Sequence, residues 1–594
     1  MESSTVTKPT SVASRLAGFL ARPGYTETLV FAAAVLAFVG TWQYGFVYDD
    51  RAQILSNRDI TTWHRVMGYF FRDIWGNLDP STPRNYYRPM FFVWLRLNRI
   101  FFNLNPIGWH MAVMVLHALA SVLATLVVRR CTRDHLVGAV SGLLFAVHPI
   151  HIESVAWVSG GTDPLLAVFF LSAILSFLSW MERGSPWQLL ATAALYALAL
   201  LSKEPAVVLP PLLAVIVWVC ARPENKMTRA KALLWGLLPL IVESAGYFAV
   251  RARFLRGAAH SLNATPVWVM ALTMPKILLF YLRQSLVPLG LAFSYEMELE
   301  KTMSAAGFWL PLAVWVCVLG LLLLWWRRAA DDRRGIALAA AISLLTLAPV
   351  LNLRWLGADS VHDRYLYLPV LGVCLLAGLA VRQWQSHAGT LSVKPLAAVG
   401  LVSVLLLAST LTQETYCVDD FILWTHALKV SPNSDLAIGN VGSLLLEKGD
   451  TEGALYYSRK VYQRHPEVHL NNYNLAFFYY NVKNYPEAEK YLLRAMQIDP
   501  RRPDQYLVFG AVEMHLNRLD LAEPAMRMAI QIQPEGEGFH LGLGAVLLAK
   551  GDRAGAEREF REELRLYPDS TGARRGLIQA TSGGATPLDP LQKH

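Results

Sequence analysis

The sequence predicts an all-α protein, a polytopic bundle of about eleven transmembrane helices followed by an α-solenoid of repeated helix pairs. Three observations predict it. The 594 residues are 54% hydrophobic and 17% charged, against about 25% charged in an ordinary soluble domain. The first 412 residues alternate long apolar runs with short charged punctuation, whereas the rest has the mixed polarity of a soluble domain. That second part also repeats every 34 residues. The formal charge of +9 does not point to nucleic acid, because many Lys and Arg residues lie between apolar runs, where they orient helices across a bilayer. Cys131, Cys220, Cys317, Cys374 and Cys417 are scattered, with no CxxC, and indicate neither a disulfide framework nor a zinc site.

Residues 1–25 form a short cytoplasmic segment and 26–412 the membrane domain. The first apolar run is too long for a cleaved signal peptide and has no small-residue cleavage site before Trp42, so it is expected to remain as a span. Runs able to cross about 30 Å of hydrocarbon lie near 26–46, 107–128, 136–156, 163–181, 187–202, 204–221, 231–250, 307–326, 335–353, 364–381 and 395–412. With Lys8, Arg15 and Arg22 inside, the inner connections carry Arg129, Arg130, Arg133, Arg183, Arg222, Lys226, Arg229, Lys231, Arg327, Arg328, Arg333, Arg334, Arg382 and Lys394. The apolar segment 267–291 contains Pro275, Lys276, Arg283 and Pro288 and is expected to be interfacial or re-entrant. An odd number of crossings puts the loops 47–106 and 251–306, segment 354–363 and everything after 412 in one non-cytoplasmic compartment.

Residues 413–580 form the repeat domain. Pro432, Pro466, Pro500, Pro534 and Pro568 fall 34 residues apart, the period of a tetratricopeptide unit, and Ala454, Ala488, Ala522 and Ala556 keep the same interval. Loop-type pairs, Gly449-Asp450, Lys483-Asn484, Asn517-Arg518 and Gly551-Asp552, recur in step. Four repeats with a lead-in helix over 419–430 suffice for a solenoid core. Asn440, Asn471, Asn472 and Asn474 stand on first helices, where they either hydrogen-bond an extended peptide in the concave groove or are merely solvated or capping. The tail 581–594, with its Gly, Ser and Pro, is expected to be disordered.

Candidate chemistry gathers at the outer face. Asp49 and Asp50 follow the first span directly. Charges at membrane depth cost about 2.5–3.5 kcal/mol or more, so acids at the rim of a bundle are expected to be paired or used. The run from Arg84 to Pro89, continued by Trp94 and Arg96, is rich in aromatics and arginine and suits a surface near an anionic lipid head group, or a structural belt. His148, His151 and Glu153 end the third span, where they either collect a divalent cation or, the better reading, finish a Pro-broken helix with hydrogen-bonded histidines. Lys203 and Glu204 reach the same rim, placed to neutralise and orient a phosphate or to pair with each other. His362, Asp363 and Arg364 do likewise before the tenth span, with Arg364 suited to a bidentate phosphate grip. No P-loop or GxGxxG fingerprint is present, so an activated substrate would come from the membrane.

At FVYDDRAQI (46–54), YYRPMF (86–91), HPIHIESVAWVSGGTD (148–163), KEP (203–205), DRYLYLP (363–369) and the repeats, the chain resembles the transmembrane and tetratricopeptide-repeat O-mannosyltransferases, of the C-type glycosyltransferase fold, and in particular a bacterial relative. The resemblance implies a polyprenyl or dolichyl phosphate sugar donor, commonly mannose, and inverting transfer to an acceptor hydroxyl, such as a protein Ser or Thr held by the repeats. It makes one of Asp49 and Asp50 the general base and the other an orienting group for the base, the acceptor or a metal. Arg88, Lys203 and Arg364 become candidates for the donor phosphate. Two other readings remain: a non-enzymatic scaffold that recruits proteins for envelope or secretory assembly, and a transporter, which would need polar residues near the midplane of its spans. The membrane is the plasma membrane in a bacterium, which the short connections favour, or the endoplasmic reticulum in a eukaryote, where the sequon Asn263-Ala264-Thr265 would matter.

Overall fold

The computed structural model describes residues 24–71, 86–222, 224–255, 265–351, 361–387, 392–582 and 591. Lys8, Arg15, Arg22, Arg84, Asn263, residues 354–360 and most of the tail lie outside these. The chain divides into two compact units, the first running to Ser431 and the second from Pro432.

All eleven predicted spans are helical over most of their length, but six described helices are long and apolar enough to cross a membrane: Pro106–Thr132, Val158–Arg183, Arg229–Phe254, Ala306–Arg328, Ala330–Leu351 and Val393–Cys417. A seventh candidate, His135–Ala146 with Pro149–Val155, is bent by 50°. The bend falls at His148-Pro149, where proline removes a backbone donor and drives the preceding residue out of the helical region. Tyr25–Ala37, Pro186–Ser202 and Glu204–Cys220 are shorter, and the predicted span from 364 begins only at Val370, beyond Pro369. The segment expected to be interfacial or re-entrant is a continuous helix, Val267–Leu286, with Pro275 inside it and Val269, Thr273, Ile277, Tyr281 and Ser285 buried at every fourth residue.

Small residues let these helices approach. A Cβ on Gly142 would stand 1.8 Å from Thr125 Oγ1, so only glycine permits the contact between His135–Ala146 and Pro106–Thr132. Other helices turn apolar side chains outward: Val316, Leu319 and Leu321 on Leu310–Arg328 are exposed, as expected where lipid replaces water. The protein is an integral membrane protein. At one end of the bundle the basic connections are paired with acids, Arg129 to Glu27 at 2.6 Å, Arg130 to Glu182 at 2.7 Å, and Arg382 to Asp332 and Asp134.

The helix Asp420–Val430, predicted as the lead-in to the repeats, belongs to the first unit, which moves the structural boundary from 412 to 431. It is tied there by His426, whose Nε2 lies 2.9 Å from the Leu291 carbonyl.

The second unit is a stack of antiparallel helix pairs, Asp435–Glu447 with Thr451–Arg464, His469–Asn481 with Tyr485–Ile498, Pro503–His515 with Leu519–Ile532, and Phe539–Ala549 with Arg553–Leu566. A closing helix, Thr571–Ser582, extends into the predicted tail, and Leu591 packs against the same core. The loop pairs have a mechanical explanation. Gly449, Lys483, Asn517 and Gly551 take positive φ of 82°, 60°, 59° and 85° to reverse the chain, and Asp450, Asn484 and Asp552 then cap the next helix. Ala454, Ala488, Ala522 and Ala556 are fully buried where the helices cross. Ala488→Leu is therefore expected to overpack the second repeat and cost about 1–3 kcal/mol, seen as an earlier thermal transition, whereas Leu319→Val on the exposed face should leave that transition in place.

Candidate functional site

The site is built on the turn after the first helix. Helix Tyr25–Ala37 gives way to a 3-10 turn over Val39–Gln43 and an extended stretch to Val47. Tyr48 then adopts φ of 54°, turning the chain so that Asp49 and Asp50 part company. Asp50 is completely buried. It accepts hydrogen bonds from the Val47 backbone at 3.2 Å, from the Ser159 backbone at 2.8 Å and from the Ser159 hydroxyl. Asp49 is only partly buried and makes no hydrogen bond or ion pair among the described residues; Arg364 acts on its charge. Burial raises the Asp49 carboxyl to about 6, with Arg364 pulling the other way. Burial raises Asp50 to about 7, opposed by its bonds to Ser159 and Val47 and helped by Asp49. Asp50 acts as a strut, and Asp49 is the available carboxylate.

The segment from His148 to Asp163 supplies the floor. Ser159 sits in a 3-10 turn, Val158–Gly161, seated so closely on the preceding turn that a Cβ on Gly160 would stand 2.3 Å from the Glu153 carbonyl oxygen. Glu153 is turned toward the tenth span. It accepts from the Arg364 backbone at 2.9 Å and from the Arg364 guanidinium, and lies 3.4 Å from His362 Nδ1. Arg88 holds Glu204 through two nitrogens at 3.0 and 2.8 Å. Lys203 Nζ donates to Asp163 at 2.6 Å, and Ser154 donates to the other oxygen of Asp163 at 3.2 Å. The sequence alternative of a pair between Lys203 and its neighbour Glu204 is not what forms. Asp163 lies within electrostatic reach of Arg88, Lys203 and Arg364, and Arg88 and Arg364 of Lys203. Three cations from three distant motifs therefore converge, each already steadied by an acid and each with N–H donors to spare.

Aromatic rings line the cluster. The Arg364 guanidinium lies 5.6 Å from the ring centres of Trp157 and Tyr365, and that of Arg88 lies 4.5 Å from Tyr86. The Trp157 indole N–H is buried and has no hydrogen-bond partner among the described residues. Asp163, Ser159, Trp157 and Tyr86 were not singled out individually in the sequence, although all lie in its quoted motifs; what marks them is tertiary pairing, as of Ser159 with Asp50, 109 positions away.

Other candidates lie elsewhere. His148 Nδ1 accepts from the Ile150 backbone at 3.2 Å and its Nε2 lies 3.1 Å from the Ser285 carbonyl. His151 packs 4.5 Å from the rings of Phe145 and Tyr367. With Glu153 turned to Arg364, these three do not assemble as a cation site, and no metal-holding cluster of His, Cys, Asp and Glu occurs among the described residues. Asp363 is a strut for the segment after Val267–Leu286, accepting from Tyr295 at 2.6 Å, Gln284 at 3.1 Å and the Ala292 backbone at 3.2 Å. Within the repeat unit, Asn440 donates to the Leu436 carbonyl, Asn471 to His465, and Asn472 to Pro466 and Val468. Those amides serve their own turns. Asn474 is half-buried and has no hydrogen bond among the described residues, which leaves it as the groove candidate.

Residues 88–246 match the family described as dolichyl-phosphate-mannose-protein mannosyltransferase, and residues 445–508 match the tetratricopeptide repeat. The human protein O-mannosyl-transferase TMTC3 is 27% identical over 528 residues, covering 80% of this chain and 55% of that protein. The chain is a homologue of the transmembrane and tetratricopeptide-repeat protein O-mannosyl-transferases. A Drosophila melanogaster relative, protein O-mannosyl-transferase Tmtc1, is 36% identical over 177 residues, 30% of this chain and 21% of its own. Among solved structures, TTC0263, a thermophilic TPR protein in Thermus thermophilus, is 20% identical with a TM-score of 0.25, covering 27% of this chain and 88% of that one. The chain spans about half the length of TMTC3. The mannosyltransferase match takes in Arg88, Glu153, Asp163, Lys203 and Glu204, while Asp49 and Arg364 fall on either side of it.

Lys203→Met should leave Asp163 buried without its partner and cost about 3–5 kcal/mol of stability, measured by thermal unfolding in detergent. Adding Asp163→Asn in the same chain should recover part of that loss, since the amide carries no charge to strand.

Proposed function

We propose that this protein is an inverting membrane glycosyltransferase that moves mannose from a polyprenyl or dolichyl phosphate to a protein Ser or Thr hydroxyl on the non-cytoplasmic face. The observation that carries the reading is Asp49, a carboxylate without a protein partner among the described residues, standing beside the cluster of Arg88, Lys203 and Arg364. Asp49 takes the proton from the acceptor hydroxyl, whose oxygen attacks the sugar C1 from the face opposite the phosphate. The C1–O bond to the phosphate breaks, and the lipid phosphate departs with the bonding pair. Spare N–H donors of the three cations, with the Trp157 indole, receive the charge that develops on it. Because Glu204, Asp163 and Glu153 already fix these cations, little reorganisation accompanies the reaction.

The two ends of the bundle support one sidedness. From the end that holds Glu27, Arg129, Glu182, Asp332 and Arg382 the chain passes repeatedly to the end that holds Asp49, Glu153, Lys203 and Arg364, which supports eleven crossings with the basic end cytoplasmic. The repeats then share the outer compartment, periplasmic or luminal, and offer a groove with Asn474 for the acceptor chain.

Purified protein supplied with mannosyl phosphoryl polyprenol and Ser/Thr peptides should transfer mannose. Asp49→Asn should lower kcat by about a hundredfold to ten-thousandfold while the protein stays folded; turnover surviving that change would remove Asp49 as the base. A base works only when ionised, so kcat/KM of the wild type should fall as pH drops through about 6, the value to which burial raises Asp49 in the free protein. A profile flat from pH 5 to 8 (roughly the window above ordinary carboxylate titration and extending past that of histidine) would contradict that assignment.

A further inference from the structure

Asp420 opens the helix Asp420–Val430, beyond the last span and outside every motif quoted for the site. A helix-opening acid ordinarily serves its own helix, and here Asp419 does that, capping the Ile422 backbone at 2.8 Å. Asp420 reaches elsewhere. Its Oδ1 accepts a 2.7 Å hydrogen bond from the Tyr48 backbone N–H, 372 positions away in sequence. Its Oδ2 lies 2.6 Å from Arg51. One buried carboxylate thus holds the residue on either side of the Asp49-Asp50 pair.

What it holds is a conformation that needs holding. Tyr48 is in the left-handed region at φ of 54°, which costs a non-glycine residue about 1–2 kcal/mol and persists where surroundings over-determine it. The Tyr48 ring is fixed as well: it meets Trp424, one turn along the same helix as Asp420, edge-on at 4.9 Å, and Trp157 at 5.9 Å. Trp157 in turn lies against the Arg364 guanidinium. A third tie joins the Gly45 backbone N–H to the Val418 carbonyl at 3.4 Å.

We propose that Asp420 and Trp424 are positioning residues for the transfer reaction: by holding Tyr48 in its left-handed turn, they keep the Asp49 carboxylate beside Arg364. The inference rests on Asp49 being the base. Neither residue touches substrate, and the catalytic part of the chain therefore ends at Ser431 rather than at the last span.

The test compares the full chain and its Asp420→Ala, Trp424→Ala, Trp424→Phe, Asp420→Asn, Arg51→Gln and Asp49→Asn variants, with mannosyl phosphoryl polyprenol and one Ser/Thr peptide as substrates. Asp420→Ala and Trp424→Ala should lower kcat by about ten- to a hundredfold, the scale of a displaced catalytic group, while KM for donor and acceptor stays within about twofold. Their acidic limb of kcat/KM should move down from near pH 6 toward the ordinary carboxylate range, because burial raises Asp49 in the free protein and a loosened turn hydrates it. Trp424→Phe, which keeps an aromatic edge, should restore most of the rate and the limb. Asp420→Asn and Arg51→Gln keep an acceptor for the Tyr48 N–H and remove only a partly exposed ion pair, so each should cost about two- to fivefold in kcat. Those two variants decide the matter should the alanine forms fail to fold: wild-type kcat in both would then overturn the proposal. Folded alanine variants with unchanged kcat and an unmoved limb would overturn it directly, provided Asp49→Asn is inactive. An active Asp49→Asn would instead overturn the reading of the base, and this inference with it.

Discussion

The contact between Glu153 and Arg364 joins segments 211 positions apart and decides how that end of the bundle is assembled. The Glu153 side chain is wholly buried. A carboxylate in that position without a cation would carry a desolvation penalty of several kcal/mol, so the third and tenth predicted spans must bring their ends together. The same requirement acts on Lys203 with Asp163 and on Arg88 with Glu204. Three obligatory pairs, each between different elements, pull the outer ends of the helices into one cluster. Asp49 stands beside that cluster without entering any of the pairs.

This arrangement links packing to chemistry. A site for a departing phosphate needs cations that are fixed before the charge appears, since donors that must first reorient give back what they contribute. Paired arginines and a paired lysine suit the proposed phosphate site because each keeps N–H groups beyond those its acid uses. The division between Asp49 and Asp50 follows the same logic. Asp50 commits its oxygens to Val47 and Ser159, so the turn is rigid, and Asp49 can remain unbonded without being disordered by its neighbours. The helix that opens with Asp420 completes the frame from the other side of the turn.

The repeat unit shows how positions separated by one period divide their work. The alanines leave room for helices to cross, the residues at 449, 483, 517 and 551 turn the chain, and those that follow cap or begin the second helix. Asn471 and Asn472 are occupied in a different task, closing the turn that contains Pro466. Their amides close that turn, whereas Asn474, on the same helix, makes no hydrogen bond among the described residues.

Periodicity and polarity are local properties, and they were legible. The 34-residue register, the apolar runs, the basic connections and the placement of the acid pair after the first span all follow from residue type and spacing. Pairing is not local. Nothing near Lys203 in sequence indicates that it would choose Asp163 over the adjacent Glu204, or that Glu153 would turn from His148 and His151 to Arg364, because those choices depend on which helix ends meet. Helix length was only partly legible: hydropathy sums over His148-Pro149 and Pro369 without registering the lost backbone donor, so the eleven runs are helical as six long helices, one bent pair and four shorter helices among the described residues. The boundary at 412 was read from the end of apolar character, whereas Asp420 and Trp424 belong to the membrane unit through contacts with Tyr48. The sequence by itself determined two helical units, one in lipid and one repetitive, with acids and cations at one end of the first. Only the tertiary structure decided which acid is a strut and which is free, because that depends on whether a distant Ser159 reaches one carboxylate and leaves the other alone.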